Sequence, residues 1–184
     1  GYYRLLSYMR PFQRFDPRSG VRRFTPGTTI DKILDLYTFD RELRLLCLDG
    51  IERVEIAIRA TIVHELSTQY GPHFYYDNHH YRHHGSRGRF LSLVKTISNP
   101  AIDLYRRTYS SPPNPPIWML MEGVTFGQLS HFFASLHITR RKIIAKRFFL
   151  AEPVFTSWLK TITTLRNTCA HHHRLWNATI KGNE

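Results

Sequence analysis

Cysteine is nearly absent: Cys47 and Cys169 are the only two in 184 residues. Two thiols in apolar, helix-like contexts make neither a disulfide framework nor a zinc-ligand spacing, so a reducing cytoplasm is the expected setting. Long apolar runs are also missing. No stretch of eighteen apolar residues is available to span a bilayer, and no signal-peptide pattern precedes the first segment. No glycine-rich phosphate loop appears, so no small-molecule cofactor is suggested. Strand-like alternation, internal repeats and a domain linker are lacking as well, which points to one all-α domain over residues 1–184. Acidic residues are the remaining shortage. Fourteen Asp and Glu face 26 Lys and Arg, for a formal charge of +12. An enzyme acting on small neutral molecules has no need of such a field. A polyanion partner does, because neutralising phosphates releases condensed counterions. An anionic membrane is a weaker rival, since no lysine-rich amphipathic face stands out.

What is present is apolar content of 42% and aromatic content of 14%, enough for a folded core with bulky anchors. Residues 2–10 carry apolar side chains at roughly helical spacing and Pro11 ends them. The chain enters that stretch at once from Gly1, which suggests missing N-terminal sequence. Thr29 offers an N-cap for a helical pattern from Asp31 to Gln69, with Asp49-Gly50 the natural place for a kink or break. Gly71-Pro72 closes it. The histidine-crowded stretch 73–88 reads as a surface loop, residues 90–109 as one helix, and Pro112–Pro116 as an extended connector. A short helix over 118–121 comes next. Thr125 and Gln128 form a capping-box signature for a helix reaching Leu136. Thr139 caps a helix over 140–149, and Glu152-Pro153 opens the last long one, patterned through Cys169.

That last helix ends in Leu165-Arg166-Asn167-Thr168-Cys169-Ala170-His171-His172-His173-Arg174-Leu175-Trp176-Asn177. A permanent cation five residues before a histidine suits phosphodiester cleavage. In RNA the 2′-hydroxyl attacks its own phosphate, with histidine as general base or acid and arginine holding charge on the phosphorane oxygens. No metal is then required. On an ideal helix, residues five apart point about 140° away from each other. Either the helix deforms or ends near His171, or the long arginine reaches round it, or two copies share a cleft, which is the preferred arrangement. Taken alone, such a pair is weak evidence, and a surface cation with a capping histidine at a helix C-terminus is the better reading.

The wider pattern resembles the Abi-like family of bacterial HEPN proteins. Its closing signature is matched in order by Arg166-Asn167, Ala170-His171 and Arg174-Leu175-Trp176-Asn177. The likeness continues upstream through Tyr2-Tyr3-Arg4-Leu5, Pro11-Phe12, Leu36 to Arg44, Ile51 to Arg59, Thr125 to Ser130 and Ser157-Trp158-Leu159. The resemblance implies a HEPN-like bundle of long antiparallel helices, a homodimer, and metal-independent endoribonuclease activity in phage defence by abortive infection or toxin–antitoxin action. It assigns Arg166 and His171 as catalytic and Asn167 as a site-shaping neighbour. Glu52 and Arg53 are further candidates to shape the site, with a structural salt bridge as the competing role.

Arg59 and Arg174 are candidate phosphate contacts. Arg140, Arg141, Lys142, Lys146 and Arg147 form a basic helix suited to an RNA backbone. Trp176 fits core packing better than base stacking. His172-His173 lacks the carboxylate or cysteine company of a metal site, and the His79, His80, His83, His84 cluster, though more metal-like, reads better as a partly aromatic surface loop. Three functions therefore compete: a ribonuclease, a non-cleaving module that holds a structured or antitoxin RNA, and a helical interaction protein. The cyclic phosphate left by metal-free cleavage separates the first two.

Overall fold

Helix signals dominate the sequence, and helices dominate the computed structural model, which describes residues 2–180. The mainly helical expectation holds. Helix α1 (Tyr2–Met9) is followed by a 3-10 turn at Arg10–Phe12 and then by a hairpin that the sequence pattern does not announce. Strands β1 (Gln13–Asp16) and β2 (Val21–Phe24) pair antiparallel, Gln13 opposite Phe24 and Asp16 opposite Val21. The hairpin escapes a search for alternation because β2 is exposed along its whole length, so neither face needs to be apolar. Its turn supplies the specificity instead. The Asp16 carboxylate accepts from Arg18 N at 3.0 Å and Ser19 Oγ at 2.7 Å, and Gly20 takes φ +66°. Those two donors hold the Asp16 carboxyl below the usual range.

Helix α2 (Ile30–Tyr70) runs 41 residues, about 60 Å at 1.5 Å per residue. Thr29 caps it as expected, its hydroxyl accepting from Lys32 N at 3.3 Å. The break expected at Asp49-Gly50 does not occur. One interior glycine costs roughly 1 kcal/mol, too little to interrupt a ladder continued on both sides by good helix formers.

The histidine-rich segment is more ordered than a surface loop. It folds into 3-10 turns at Phe74–Tyr76 and Asn78–His80, which bury Phe74, Tyr75 and His80. Helix α3 (His84–Thr96) starts within the expected loop, and the expected 90–109 helix is divided. Helix α4 (Pro100–Thr108) begins afresh because Pro100 lacks an N–H and Asn99 caps the new start, accepting from Ile102 N at 2.9 Å. The connector to α5 (Ile117–Glu122) bends over residues 111–114 instead of running extended. Tyr75 fixes it by donating to Pro115 O at 2.7 Å.

Helix α6 (Phe126–Ser135) has the full capping box between Thr125 and Gln128. Helix α7 (Ile138–Arg147) starts earlier than expected, because the capping side chain is His137 rather than Thr139. Helix α8 (Glu152–Ala170) closes the series.

Of the described residues, 2–51 and 164–180 make one compact unit and 52–163 the other, so α2 and α8 each contribute a segment to both. The larger unit has an apolar core including Ile58, Ile62, Leu66, Leu120, Leu129, Phe132, Phe133, Phe155 and Leu159. The smaller has few large apolar side chains in its interior, chiefly Tyr8, Ile33 and Ile51, and it buries Asp40 and Arg44 among them.

Candidate functional site

Helix α8 stops by a defined mechanism, and the stop sets the exposure of the residues around it. His172 adopts φ +57°. The His173 amide then donates to Thr168 O at 2.9 Å and the His172 amide to Cys169 O at 3.0 Å. This pair of bonds is the Schellman arrangement, with a histidine where glycine is the usual choice. It ends the helix at Ala170, one residue before His171, so the first of the three geometries open at the sequence level is realised. The His171 amide still donates to Asn167 O at 3.0 Å, which fixes its backbone while its side chain is exposed.

Arg166 is half-buried on the last turns of α8. Among the described residues its side chain bonds from Nη1 to Asn167 Oδ1 at 3.5 Å. The His171 ring has a tilted neighbour in His173, with centroids 6.1 Å apart. No bond joins Arg166 to His171 among the described residues. Among the described residues neither side chain has an ion pair to a carboxylate, which leaves the cation and the imidazole available to a ligand.

What holds this terminus is a buried polar assembly that the sequence reading passed over. Asp40 is fully buried on α2 and accepts from four donors: the Tyr8 hydroxyl, the Arg44 guanidinium, and the amides of Leu175 and Trp176. Arg44, 4% exposed, also donates to Tyr8 Oη at 2.9 Å and reaches His173 O at 3.4 Å. Arg174 donates to Ser7 O at 2.7 Å. The segment just beyond His171 is thereby tied to α1 and α2. The signal was legible: Ile33, Asp40, Arg44 and Ile51 follow at intervals of seven, four and seven, one stripe of α2 with a carboxylate and a guanidinium in core positions. Burial pushes the Tyr8 hydroxyl pKa up, and its bond to Asp40 adds to the rise. Burial likewise pushes the Cys169 thiol up to about 11, with Cys47 beside it contributing, so this thiol is protonated and a poor nucleophile at neutral pH.

The other candidates separate by what the fold already asks of them. Arg174 serves the tie to Ser7. Arg59 donates to Glu55 at 2.6 Å and Val124 O at 2.8 Å. In the basic helix α7, Arg141 is buried and pairs with Glu152 at 2.6 Å, so the fold uses it instead of offering it to RNA. Arg147 pairs with Glu65 at 2.7 Å while most of its side chain stays exposed. Arg140 lies over the Tyr70 ring at 4.6 Å and donates to His80 Nδ1 at 3.1 Å. Lys142 and Lys146 are exposed. Glu52 and Arg53 are exposed on the α2 segment that belongs to the larger unit. Trp176 is half-buried, and its backbone amide is the part that bonds to Asp40.

Among the described residues, no three His, Cys, Asp or Glu side chains are grouped to hold a metal ion. No described helix is long and apolar enough to cross a membrane. A family model described as Abi-like protein matches residues 1–177. No curated protein and no solved structure matches the chain.

Proposed function

The chain belongs to the Abi-like protein family, and from that premise we propose that it is a HEPN-type endoribonuclease of phage defence, cutting RNA without a metal ion. The observation that carries this reading is the contrast within one short segment. Arg174, Leu175 and Trp176 are bound into the fold, whereas Arg166 and His171, a few residues earlier, have no carboxylate partner among the described residues. A fixed backbone with an uncommitted cation and imidazole is what proton transfer and charge stabilisation require.

In the proposed reaction His171 takes the proton from a 2′-hydroxyl as its oxygen bonds to the adjacent phosphorus. Arg166 stabilises the charge that develops on the non-bridging oxygens. The P–O5′ bond breaks and the 5′-oxygen takes a proton from solvent, giving a 2′,3′-cyclic phosphate and a 5′-hydroxyl. The Asn167 side chain orients the guanidinium through its Oδ1. Lys142 and Lys146 add sequence-independent attraction to the RNA backbone. A homodimer is part of the proposal, supported by exposed apolar side chains such as Trp158 and Val154 on α8 and Ile56 on α2.

The decisive chemistry is at the cut ends. An RNA with a single 2′-deoxynucleotide at the cleavage position is expected to survive, while the all-ribose strand yields cyclic phosphate and 5′-hydroxyl ends. Cutting of the deoxy-substituted position, or 5′-phosphate products, contradicts 2′-hydroxyl attack. RNA that is bound but never cut favours the non-cleaving module.

A further inference from the structure

The larger unit contains a cleft between α3 and α6 that none of the roles above uses. Helix α3 lines it with Ser86, Arg89, Phe90 and Leu93. Helix α6 faces these with Gln128, His131, Phe132 and Ser135. Both sets have the spacing i, i+3, i+4, i+7, the stripe that normally closes one helix against another. Phe90 and Phe132 touch with centroids 4.4 Å apart, and the polar members leave a concavity of about 260 Å³. The opening is a groove on the surface of the larger unit, with Arg89 and His131 exposed at its rim and Phe90 and Phe132 buried at its floor.

Its polar groups offer several donors, although the Ser135 hydroxyl is committed to Phe132 O at 2.7 Å. Among the described residues, Arg89 and His131 have no ion pair or hydrogen bond through their side chains, and both are exposed. Ser86 is largely buried, with a hydroxyl that bonds to no protein group. Gln128 Oε1 is committed to Thr125 N at 2.9 Å, which leaves its amide N–H groups free. No carboxylate lines the cleft. A guanidinium, an imidazole, an amide and a hydroxyl around an aromatic floor suit an anion attached to a flat apolar group. The volume admits one such unit, not two.

We propose that the α3–α6 cleft binds a single nucleotide, with its phosphate on Arg89 and His131 and its base against Phe90, Leu93 and Phe132. The nucleotide is either one residue of an RNA strand or a free nucleoside monophosphate. The proposal extends the RNA reading above, but its test does not involve cleavage.

The full chain carrying His171→Ala, which prevents loss of substrate, is titrated calorimetrically with 5′-AMP and with a five-nucleotide RNA. Arg89→Glu and the cleft-filling Leu93→Trp are each expected to weaken binding at least tenfold. Lys95→Glu, the same charge change on α3 outside the cleft, is expected to leave 5′-AMP affinity unaltered. Loss in both titrations, or in the RNA titration alone, identifies a strand subsite. Loss for 5′-AMP alone identifies a free-nucleotide site. The proposal is overturned if neither probe loses affinity in the two cleft variants, or if Lys95→Glu weakens 5′-AMP as much as Arg89→Glu does.

Discussion

The two compact units are held together by different forces. The larger encloses a conventional apolar interior in which aromatic rings meet edge to face, as Phe133 meets Phe155 at 5.1 Å. The smaller has one fully buried carboxylate at its centre, and four donors from α1, α2 and the segment after His171 converge on it. Apolar packing degrades gradually as volume is removed. A buried polar network fails as a whole, because losing one partner leaves the others buried and unsatisfied. The proposed catalytic pair lies in the unit of the second kind. Its backbone is therefore fixed by directional bonds, which specify geometry more narrowly than dispersion contacts.

Several substitutions break or sharpen this contrast. Asp40→Ala is expected to have the largest effect on stability, a loss of about 3–5 kcal/mol, because it strands the Arg44 charge in the interior. Leu129→Ala in the larger unit is expected to cost about 2–5 kcal/mol through transfer and cavity terms alone. Urea unfolding separates the two, since Asp40→Asn should recover part of the first loss through its remaining acceptor. Recovery by neither Asn nor any other acceptor at position 40 contradicts the network account.

The next effect is a pH dependence of the larger unit. His80 is buried against Tyr70 and Phe74, and burial lowers its pKa below the ordinary value, with the Arg140 charge adding to the shift. A base whose folded pKa is depressed stabilises the fold fully above its unfolded pKa, near 6.5. That contribution is lost as pH falls through the lower folded value. Thermal unfolding followed from pH 7.5 downward should therefore show stability falling below about pH 6.5. His80→Gln should flatten that fall. An unchanged acid slope in the variant would place the titrating group elsewhere.

The smallest effect is expected at the helix stop. His172 holds a left-handed backbone at φ +57°, a conformation that costs a non-glycine residue roughly 1–2 kcal/mol. His172→Gly should raise stability by about 0.5–1 kcal/mol, the strain relief less the greater entropy of glycine in the unfolded chain. A destabilised variant would mean that the imidazole makes a contribution larger than the strain.

Much of this was legible in the sequence, and the misses have physical causes. The stripe from Ile51 to Leu66, the Thr125–Gln128 box and the Pro153 start of α8 are local signals, and the structure follows them. The hairpin was missed because a strand pair exposed along one whole strand carries no burial pattern. The division before Pro100 was missed although both its cues, Asn99 and Pro100, stand in the sequence. Helical spacing on either side outweighed them. In α7 the five cations read alike as charge, yet Arg141 differs from Lys142 by its burial against Glu152, a contact ten residues or more along the chain. For Asp40 and Arg44 the core stripe of α2 was a legible cue, but the rest of the network was missed for the same reason as Arg141. Its partners come from positions 8, 44, 173, 175 and 176, and only tertiary structure brings them to one carboxylate.

The most direct test of the central claim is incubation of end-labelled RNA with the full chain in excess EDTA, beside Arg166→Ala and His171→Ala. The account predicts cleavage by the unaltered chain and a loss of about 10²–10⁴-fold in rate for His171→Ala, the range expected for removing a general acid–base group. Unfolding midpoints should stay close to the parent value, because neither side chain is paired with a carboxylate. Cleavage that persists at full rate in both variants would contradict the assignment.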